Sequence, residues 1–276
     1  MHLRLPFLLS ALLLAPFLRA ANTPPHAAPN YGHDDAHGHT APVNGIRLYY
    51  ETYGAATGAP LVLLHGNGGS IAAMHFQIDF FRATRQVIAI DSRGHGRSEM
   101  GATPLTYEKI ADDVAALLAQ LHAAPADILG WSDGGIVALQ LALRHPDRVR
   151  RIALSGANLV ADALKPDDFA GMKTGLAEVR AKLAAGDRSP RNLQLEQHLV
   201  LMVDQTTITA EDLRRITCPA LVLAGERDMI PEPHTRAIAA GLPHAQLHIF
   251  PGASHGALQE IPAEFNRVVA EFLAAP

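Results

Sequence analysis

The sequence predicts an α/β fold in which a mainly parallel sheet is covered by helices on both faces. Two observations lead to this prediction: short apolar runs are typical of buried parallel strands, and they alternate along the chain with longer stretches of helical periodicity. The chain has 276 residues, of which 48% are hydrophobic and 18% are charged, so it can bury the core of one globular domain. In such a sheet, functional residues are expected at the carboxyl ends of the strands.

The N-terminal segment differs from the rest of the chain in composition. Arg4 precedes the apolar stretch 5–18, and small residues follow it, which is the pattern of a secretory signal peptide over residues 1–21. We therefore expect an exported protein, periplasmic or extracellular, without stable membrane association unless the signal remains as an uncleaved anchor. Residues 22–43 contain four prolines and show no apolar period, so they are predicted to form a flexible linker rich in proline and histidine.

Strands and helices alternate in the first half of the predicted domain, which begins at residue 44. Residues 46–51 alternate apolar and polar side chains, as in a half-exposed strand. Apolar runs predict four further strands, at 61–64, 86–90, 126–129 and 149–154. Helical periodicity covers 71–81, 106–122 and the stretch from residue 134 onward. Ser70 and Thr106 precede the first two of these helices and are the expected N-caps.

The alternation stops after residue 156 and resumes near residue 220. Two helices are predicted in between, and a polar turn joins them, so residues 157–217 are interpreted as a small helical cap inserted over the sheet. The domain then continues to residue 276. The predicted elements of this half are helices at 168–183 and 192–203, a strand at 220–224, a helix at 233–240, a strand at 246–250 and a helix at 263–273.

The candidate nucleophile lies in the sequence Gly130-Trp131-Ser132-Asp133-Gly134, where a predicted strand passes into a predicted helix. Glycines on both sides of a serine suit a sharp turn that leaves no room for a Cβ and lifts the serine Oγ clear of the sheet. Small residues also form ordinary turns, so the assignment of Ser132 depends on partners elsewhere in the chain.

A serine hydroxyl needs an imidazole as general base and a carboxylate that orients the imidazole. Asp228 and His255 follow the last two predicted strands, so both are expected at the same edge of the sheet as Ser132. Their order along the chain is nucleophile, acid, histidine. Either residue alone would be an ordinary loop residue, but together with the elbow they predict a catalytic triad. Glu226 is the alternative acid, and Asp228 is preferred from its position in a Gly-x-x-Asp pattern.

A tetrahedral intermediate also needs hydrogen-bond donors for its oxyanion. Asp133 N–H, at the start of the helix, is one expected donor, and Asn67 N–H in the glycine-rich loop after the second strand is the other. This loop lacks the lysine and hydroxyl of a phosphate-binding Walker sequence. His65 and His95 are interpreted as residues that order their loops. Trp131 is predicted to bind substrate in the acyl pocket, with packing beneath the cap as the alternative.

From residue 44 to the C-terminus, the chain resembles the α/β-hydrolase superfamily. The matching residues are the His65-Gly66 loop, Asp91-Ser92-Arg93-Gly94-His95-Gly96-Arg97-Ser98, Ser132, Asp228 and His255. The resemblance implies the α/β-hydrolase fold, a serine-hydrolase mechanism and a cap over the site. Residues 129–136 and 155–158 are similar to the valacyclovir hydrolase (biphenyl hydrolase-like) group, in which the acidic residue after the nucleophile is associated with recognition of the amino group of amino-acid esters. This implies substrate binding by Asp133, whose alternative role is to stabilise the helix dipole.

The expected function is cleavage of carboxylic esters of small molecules through an acyl-enzyme on Ser132, without a cofactor or metal. Aminopeptidase or amidase, lactonase and carbon–carbon hydrolase activities use the same triad and stay open. A non-catalytic binding protein on this fold is the alternative from another class.

Composition narrows the partners further. The formal net charge of −4, with no basic stripe, argues against nucleic acid. His33, His37 and His39 resemble short tracts that bind metals loosely, but are interpreted as part of a polar tether. Cys218 is the only cysteine, so no intrachain disulfide forms, and its apolar neighbours predict a buried structural thiol.

Overall fold

A computed structural model of the chain describes residues 30–123, 125–204 and 207–275. The predicted signal peptide, residues 1–21, and residues 22–29 of the predicted linker lie outside the described residues. The described residues contain one eight-stranded sheet. Its strands are β1 (Gly38–Val43), β2 (Ile46–Tyr53), β3 (Leu61–Leu64), β4 (Val87–Ile90), β5 (Ala126–Trp131), β6 (Val149–Ser155), β7 (Ala220–Gly225) and β8 (Ala245–Phe250).

Helices fill most connections between the parallel strands. They are α1 (His75–Phe81), α2 (Tyr107–Gln120), α3 (Asp133–Arg144), α4 (Pro166–Ala184), α5 (Pro190–Asp204), α6 (Ala210–Arg215), α7 (Glu232–Gly241), α8 (Ala257–Glu260) and α9 (Pro262–Ala274). Thr106 caps α2 as predicted, because its side chain accepts a hydrogen bond from Lys109 N at 3.2 Å. Ser70 precedes a 3₁₀ turn instead, and its side chain makes no capping bond. Among the described helices, none is long and apolar enough to span a membrane.

The strand order in the sheet is β1-β2-β4-β3-β5-β6-β7-β8. Strand β2 pairs antiparallel with both β1 and β4, whereas the pairs from β4 to β8 are parallel. The structure therefore confirms the predicted fold class. Because parallel strands end at the same edge of a sheet, the loops after β3, β5, β6, β7 and β8 meet there.

Both faces of the sheet are buried, which explains the continuous apolar run of β3. Val62 and Leu64 pack on the face covered by α2, α3 and α7, whereas Leu61 and Leu63 pack on the face covered by α1 and α9. All four side chains are fully buried. A strand covered on both sides has no polar face. The half-exposed strand predicted over residues 46–51 is also mostly buried: of those six residues only Arg47 is exposed, because Tyr49 and Glu51 are buried by the segment before β1 and by the loops beside it.

The segment before β2 is ordered, so the prediction of a flexible linker is wrong for residues 30–43. Residues 38–43 form β1, which pairs with β2 from Gly38 opposite Glu51 to Val43 opposite Ile46. The fully buried Glu51 carboxylate accepts hydrogen bonds from Gly32 N at 2.9 Å and Asp34 N at 3.0 Å. Backbone pairing and this buried acceptor fix the segment without an apolar period.

The cap consists of the two long helices α4 and α5, which lie where the sequence predicts helices. They pack on each other through a small buried cluster of Leu176, Val179 and Leu199. Helix α6 falls within the residues predicted to form the insertion, although no helix is predicted there, and it packs against α3 and α7 of the main domain. We therefore restrict the cap to α4 and α5.

Candidate active site

Ser132 occupies the sharp turn between β5 and α3, with φ +56° and ψ −121°. Positive φ is unfavourable for a residue with a Cβ, so the neighbouring structure has to hold it. Ser132 N donates to Ser155 O at 2.7 Å, and Ser132 O accepts from Gly135 N at 2.8 Å. This is the backbone of a nucleophile elbow, as the sequence predicts.

Two glycines make the elbow possible. A Cβ on Gly130 would overlap the carbonyl oxygen of Gly134, and a Cβ on Gly134 would overlap the carbonyl oxygen of Leu64. Strand β5, helix α3 and strand β3 therefore approach at backbone distance around Ser132. The predicted reason for glycine at both positions is confirmed.

The loops after β7 and β8 bring Asp228 and His255 together. His255 Nδ1 lies 2.7 Å from Asp228 Oδ1, and the aspartate side chain is almost completely buried. Ile230 N donates to the same carboxylate at 3.0 Å, which fixes its orientation. Glu226, the alternative acid, is exposed and accepts a hydrogen bond from Gly252 N at 2.7 Å. It contacts the loop that precedes His255 rather than its imidazole.

Gly156, which follows β6, provides the space for this pair. Its φ is +64°, and a Cβ here would lie 2.7 Å from His255 Cε1 and 3.3 Å from Asp228 Oδ2. Sequence reasoning noticed this glycine only as part of a motif and missed its role. A glycine directly after a buried strand is the signal that points to it.

Ser132 and His255 line one small cavity of about 30 Å³ beneath the cap. The space holds only about one or two water molecules. Its other lining residues are Tyr107, Asp133, Asn158, Leu164, Met172, Met202, Met229 and Ile230. Most of these come from separate segments with no shared motif, so sequence reasoning missed all of them except Asp133. Any acyl group larger than the cavity requires the methionines or the cap helices to move.

The two predicted oxyanion donors belong to the loop after β3 and to the first residue of α3. Asp133 is the first residue of α3, so its N–H has no acceptor within the helix. Asn67 follows Gly66, where a Cβ would lie 3.0 Å from Ser132 Cβ, so the loop passes close to the serine. Within the described part of the chain, Asn67 N–H donates to no protein acceptor. Both donors are therefore available for a bound oxyanion.

The Asp133 carboxylate lies in the cavity wall and its residue is only 8% exposed. Asn67 Nδ2 donates to its Oδ2 at 2.8 Å, and the Tyr107 side chain is a second hydrogen-bond partner. Burial raises the pKa of Asp133 to about 6, and the bonds from Asn67 and Tyr107 limit the rise. The role of the Asn67 side chain was missed because only its backbone was considered.

Trp131 is not among the residues that line this cavity, so its predicted role in substrate binding stays a prediction. Its indole Nε1 donates to the backbone carbonyl of His255 at 2.9 Å. The two rings lie 5.9 Å apart between centroids. Because the last residue of a buried strand points its side chain to one side of the elbow, Trp131 supports the histidine loop.

Three buried histidines lie between the core loops and the cap. His65 Nε2 accepts from Ser92 N at 3.1 Å, so this ring orders the loop after β4, as predicted. The His95 ring stacks on His198 of α5 at 3.9 Å between centroids. Burial lowers the pKa of His65 to about 4 and that of His95 to about 2, and it lowers the pKa of His198 in the same direction.

The remaining predictions concern metals and the cysteine. In the described part of the chain, no group of three or more His, Cys, Asp or Glu side chains is arranged to hold a metal ion. His37 Nδ1 lies 2.8 Å from Asp34 Oδ2, and its ring stacks on Tyr53. Cys218 is half-buried, and burial raises the pKa of its thiol to about 11, which disfavours the reactive thiolate.

The model of the alpha/beta hydrolase family matches residues 61–268, which is more than half of the chain. The chain belongs to the α/β-hydrolase family. The match includes the elbow at Ser132 together with Asp228 and His255, and it spans the cap. The protein is therefore a hydrolase by family.

Two curated α/β-hydrolase relatives differ in their described activities. The chain is 28% identical to the human serine hydrolase BPHL, over 98% of this chain and 96% of that protein. It is 32% identical to the pimeloyl-[acyl-carrier protein] methyl ester esterase of Chromobacterium violaceum, over 83% of this chain and 98% of the esterase. The resemblance to the biphenyl hydrolase-like group is thus supported, while the named activities belong to those proteins.

The fold is shared with solved α/β-hydrolases. A structure titled "Est816 as an N-Acyl homoserine lactone degrading enzyme" superposes with a TM-score of 0.71 and 29% identity, over 85% of this chain and all of that one. The similar proteins thus include both an esterase and a lactone-degrading enzyme, at comparable sequence identity. Family membership gives the hydrolase class without selecting the bond that is cleaved.

Proposed function

We propose that the protein hydrolyses carboxylic esters of small molecules through an acyl-enzyme on Ser132. The observation that supports this most is the hydrogen-bonded pair of His255 and Asp228, at 2.7 Å, with His255 lining one small cavity together with Ser132 at a strained elbow. A serine held at positive φ beside a carboxylate-bound imidazole is difficult to explain by packing alone.

In the proposed reaction, His255 Nε2 removes the proton of Ser132 Oγ as the oxygen attacks the ester carbonyl. Asp228 holds Nδ1–H and stabilises the imidazolium. The backbone N–H groups of Asn67 and Asp133 bind the oxyanion of the tetrahedral intermediate. When the intermediate collapses, the ester C–O bond breaks and the alcohol leaves with the proton from His255. Water, activated by the same imidazole, then releases the acid and restores Ser132.

A second, finer proposal concerns the substrate: Asp133 recognises an amino group near the ester. Its carboxylate faces the cavity, and no lysine or arginine pairs with it among the described residues. A buried carboxylate without a cation favours a cationic ligand, because the ligand would replace part of the lost hydration. The resemblance to the valacyclovir hydrolase group supports the same role.

Labelling with a fluorophosphonate probe tests the nucleophile directly. We expect covalent labelling of the wild-type protein on Ser132 and none of the Ser132→Ala variant, with both proteins showing the same circular dichroism spectrum. Absence of labelling in folded wild-type protein, or equal labelling of Ser132→Ala, would overturn the assignment and favour a non-catalytic binding protein.

A substrate panel tests the bond and the amine. It contains p-nitrophenyl esters of increasing acyl length, an amino-acid ester, the matching anilide and an acyl lactone, each at neutral pH. We expect the highest kcat/KM for short esters, and a preference for the amino-acid ester that decreases at least about tenfold in Asp133→Asn. An unchanged preference in that variant would leave Asp133 with its structural role only.

A further inference from the structure

The Asn67 side chain connects the main domain with the cap. Its Nδ2 donates to Asp133 Oδ2 at 2.8 Å and to the backbone carbonyl of His198 at 3.2 Å. Asp133 belongs to the elbow, whereas His198 lies within α5 of the cap. One amide group therefore directs its two N–H donors to a residue of the cavity and to the element that covers the cavity.

The other contacts along this edge of α5 are also polar, but they lead away from the cavity. His198 Nε2 and Gln194 Nε2 both contact the carbonyl oxygen of Gly94, at 2.9 and 2.8 Å. Gln197 Oε1 accepts from Leu105 N at 3.2 Å. These bonds hold α5 against loops of the core. Among the residues in these bonds, only Asn67 is also hydrogen-bonded to a residue that lines the cavity, Asp133.

The donor matters for Asp133 because the carboxylate is buried. A buried carboxylate with few donors binds a proton more readily, and each hydrogen bond to it favours the ionised form. Tyr107 and His255 are the titratable groups beside Asp133, and His198 and His95 lie behind Asn67. None of these supplies a permanent positive charge, so after burial itself the hydrogen bond from Asn67 has the largest influence on the protonation of Asp133.

We propose that Asn67 is a positioning residue that couples docking of cap helix α5 to the orientation and charge of the Asp133 carboxylate. When α5 docks, the amide is held between two acceptors and points one donor at Asp133. When α5 moves away to admit substrate, the amide loses one acceptor and this constraint is relaxed. The role in substrate selection rests on the proposed function, whereas the link between Asn67 and α5 does not.

Asn67→Leu tests the coupling because it removes both donors at similar volume and retains the backbone N–H. Gln194→Leu is the matched control, since it removes a bond between the core and α5 that does not touch Asp133. Hydrogen–deuterium exchange of α5 is the first measurement. We expect faster exchange of α5 in both variants than in the wild type, by at least about threefold.

The second measurement is the rate of fluorophosphonate labelling of Ser132 from about pH 5 to about pH 8. Asp133→Asn identifies the inflection that belongs to Asp133, because it removes that inflection. In Asn67→Leu we expect the same inflection at higher pH, because the carboxylate has lost a donor. In Gln194→Leu, which loosens α5 but keeps the donor of Asn67, the inflection should move in the same direction by a smaller amount, because a loosened α5 holds the amide less firmly against Asp133.

The possible outcomes separate the two proposals. Wild-type exchange of α5 in Asn67→Leu, or a wild-type inflection in a Gln194→Leu protein whose α5 exchanges faster, would overturn the coupling. Failure of the wild-type protein to react with the probe would overturn the proposed function instead. The exchange measurement would then decide alone whether Asn67 holds α5, with wild-type exchange in Asn67→Leu rejecting the coupling.

Discussion

The two walls of the cavity are built in different ways. The core wall is fixed by close backbone packing of the loop after β3, the elbow and the loops after β7 and β8. A Cβ added at Gly130, Gly134 or Gly156 would collide with neighbouring atoms. The cap wall consists of side chains on two helices, and the 19-residue α4 buries only Leu176 and Val179. The core geometry is thus over-determined, whereas the cap packs on the core through few buried apolar side chains, one of which is Leu201 of α5.

This difference suggests that the core wall determines the chemistry and that the cap wall determines which substrates fit. The reacting groups are fixed by close backbone packing, so a small change there should affect the chemistry or the fold. The cap presents flexible methionines, Met172 and Met202, and touches the core partly through single hydrogen bonds. Methionine adapts to different shapes, so changes in the cap should affect which substrates fit.

The largest expected effect is that of Asp228→Asn in the core wall. The asparagine can accept the hydrogen bond of Ile230 N, but it cannot stabilise the imidazolium or fix the histidine tautomer. We expect kcat/KM for a short p-nitrophenyl ester to fall by about 10³- to 10⁴-fold, with little change in thermal stability. Steady-state kinetics together with a thermal melt measures both.

Glu226→Gln is the matched control for this prediction. Glu226 lies two residues away on the same loop, and its exposed carboxylate accepts a hydrogen bond from Gly252 N rather than from His255. We expect its kcat/KM to stay within about threefold of the wild type. A loss in Glu226→Gln as large as that in Asp228→Asn would transfer the role of the acid to Glu226.

The core wall is also the part that sequence predicts best. A nucleophile elbow combines a strand, a helix and glycines at fixed spacing, so Ser132 could be found from a short local pattern. Asp228 and His255 could be placed because strand ends share an edge once the sheet is parallel. Each of these inferences needs only local sequence and one topological rule.

The cap wall and the second role of Asn67 could not be predicted in this way. Met172 and Met202 face the cavity because of how two amphipathic helices dock, and their weak apolar patterns do not reveal the docking angle. The position of Trp131 beside the serine does not reveal that its indole donates to the backbone carbonyl of His255, because side-chain direction at a strand end is set by packing. Strand β1 was missed because its ordering depends on pairing with β2 and on the buried Glu51, rather than on apolar periodicity.

The second prediction concerns the free energy of unfolding after a helical glycine is replaced by alanine, once in the core wall and once in the cap. Gly134 of α3 has backbone on the side where a Cβ would point, whereas Gly171 of α4 has nothing within 4 Å of that position. We expect Gly134→Ala to lower the free energy of unfolding by about 3 kcal/mol or more. Gly171→Ala should raise it by about 0.5–1 kcal/mol, because alanine restricts the unfolded chain and favours helix.

Urea denaturation of the two glycine variants measures this difference. If Gly134→Ala yields no folded protein, the yields of soluble protein of the two variants are compared instead, and we expect soluble protein only from Gly171→Ala. Equal stability of the two variants would contradict the view that the core wall is fixed by backbone contact and the cap wall is not.

The smallest expected effect, per residue, is the pH dependence of the contact between the two regions. His65 and His95 lie in core loops and His198 in the cap, and burial lowers the pKa of all three. The unfolded chain therefore binds protons below about pH 6.5 that the folded chain does not bind. Stability should decrease as the pH falls below that value, by on the order of 1 kcal/mol per pH unit for each of His65 and His95 with a further decrease from His198, and should not depend on them above it.

His95→Gln and the exposed His244→Gln separate this contact from a general acid effect. His95 Nε2 is buried without a hydrogen-bond partner among the described residues, so a proton there has no acceptor. Asp133 acts in the opposite direction, since its pKa of about 6 lets the folded chain hold a proton that the unfolded chain releases. We expect the slope of stability against pH, from urea denaturation between about pH 5 and about pH 6.5, to decrease in His95→Gln and to stay unchanged in His244→Gln. Equal slopes in both variants would contradict the assignment. If α5 also exchanges amide hydrogens faster at the lower pH while β3 stays protected, the acid-sensitive element is the cap and not the core.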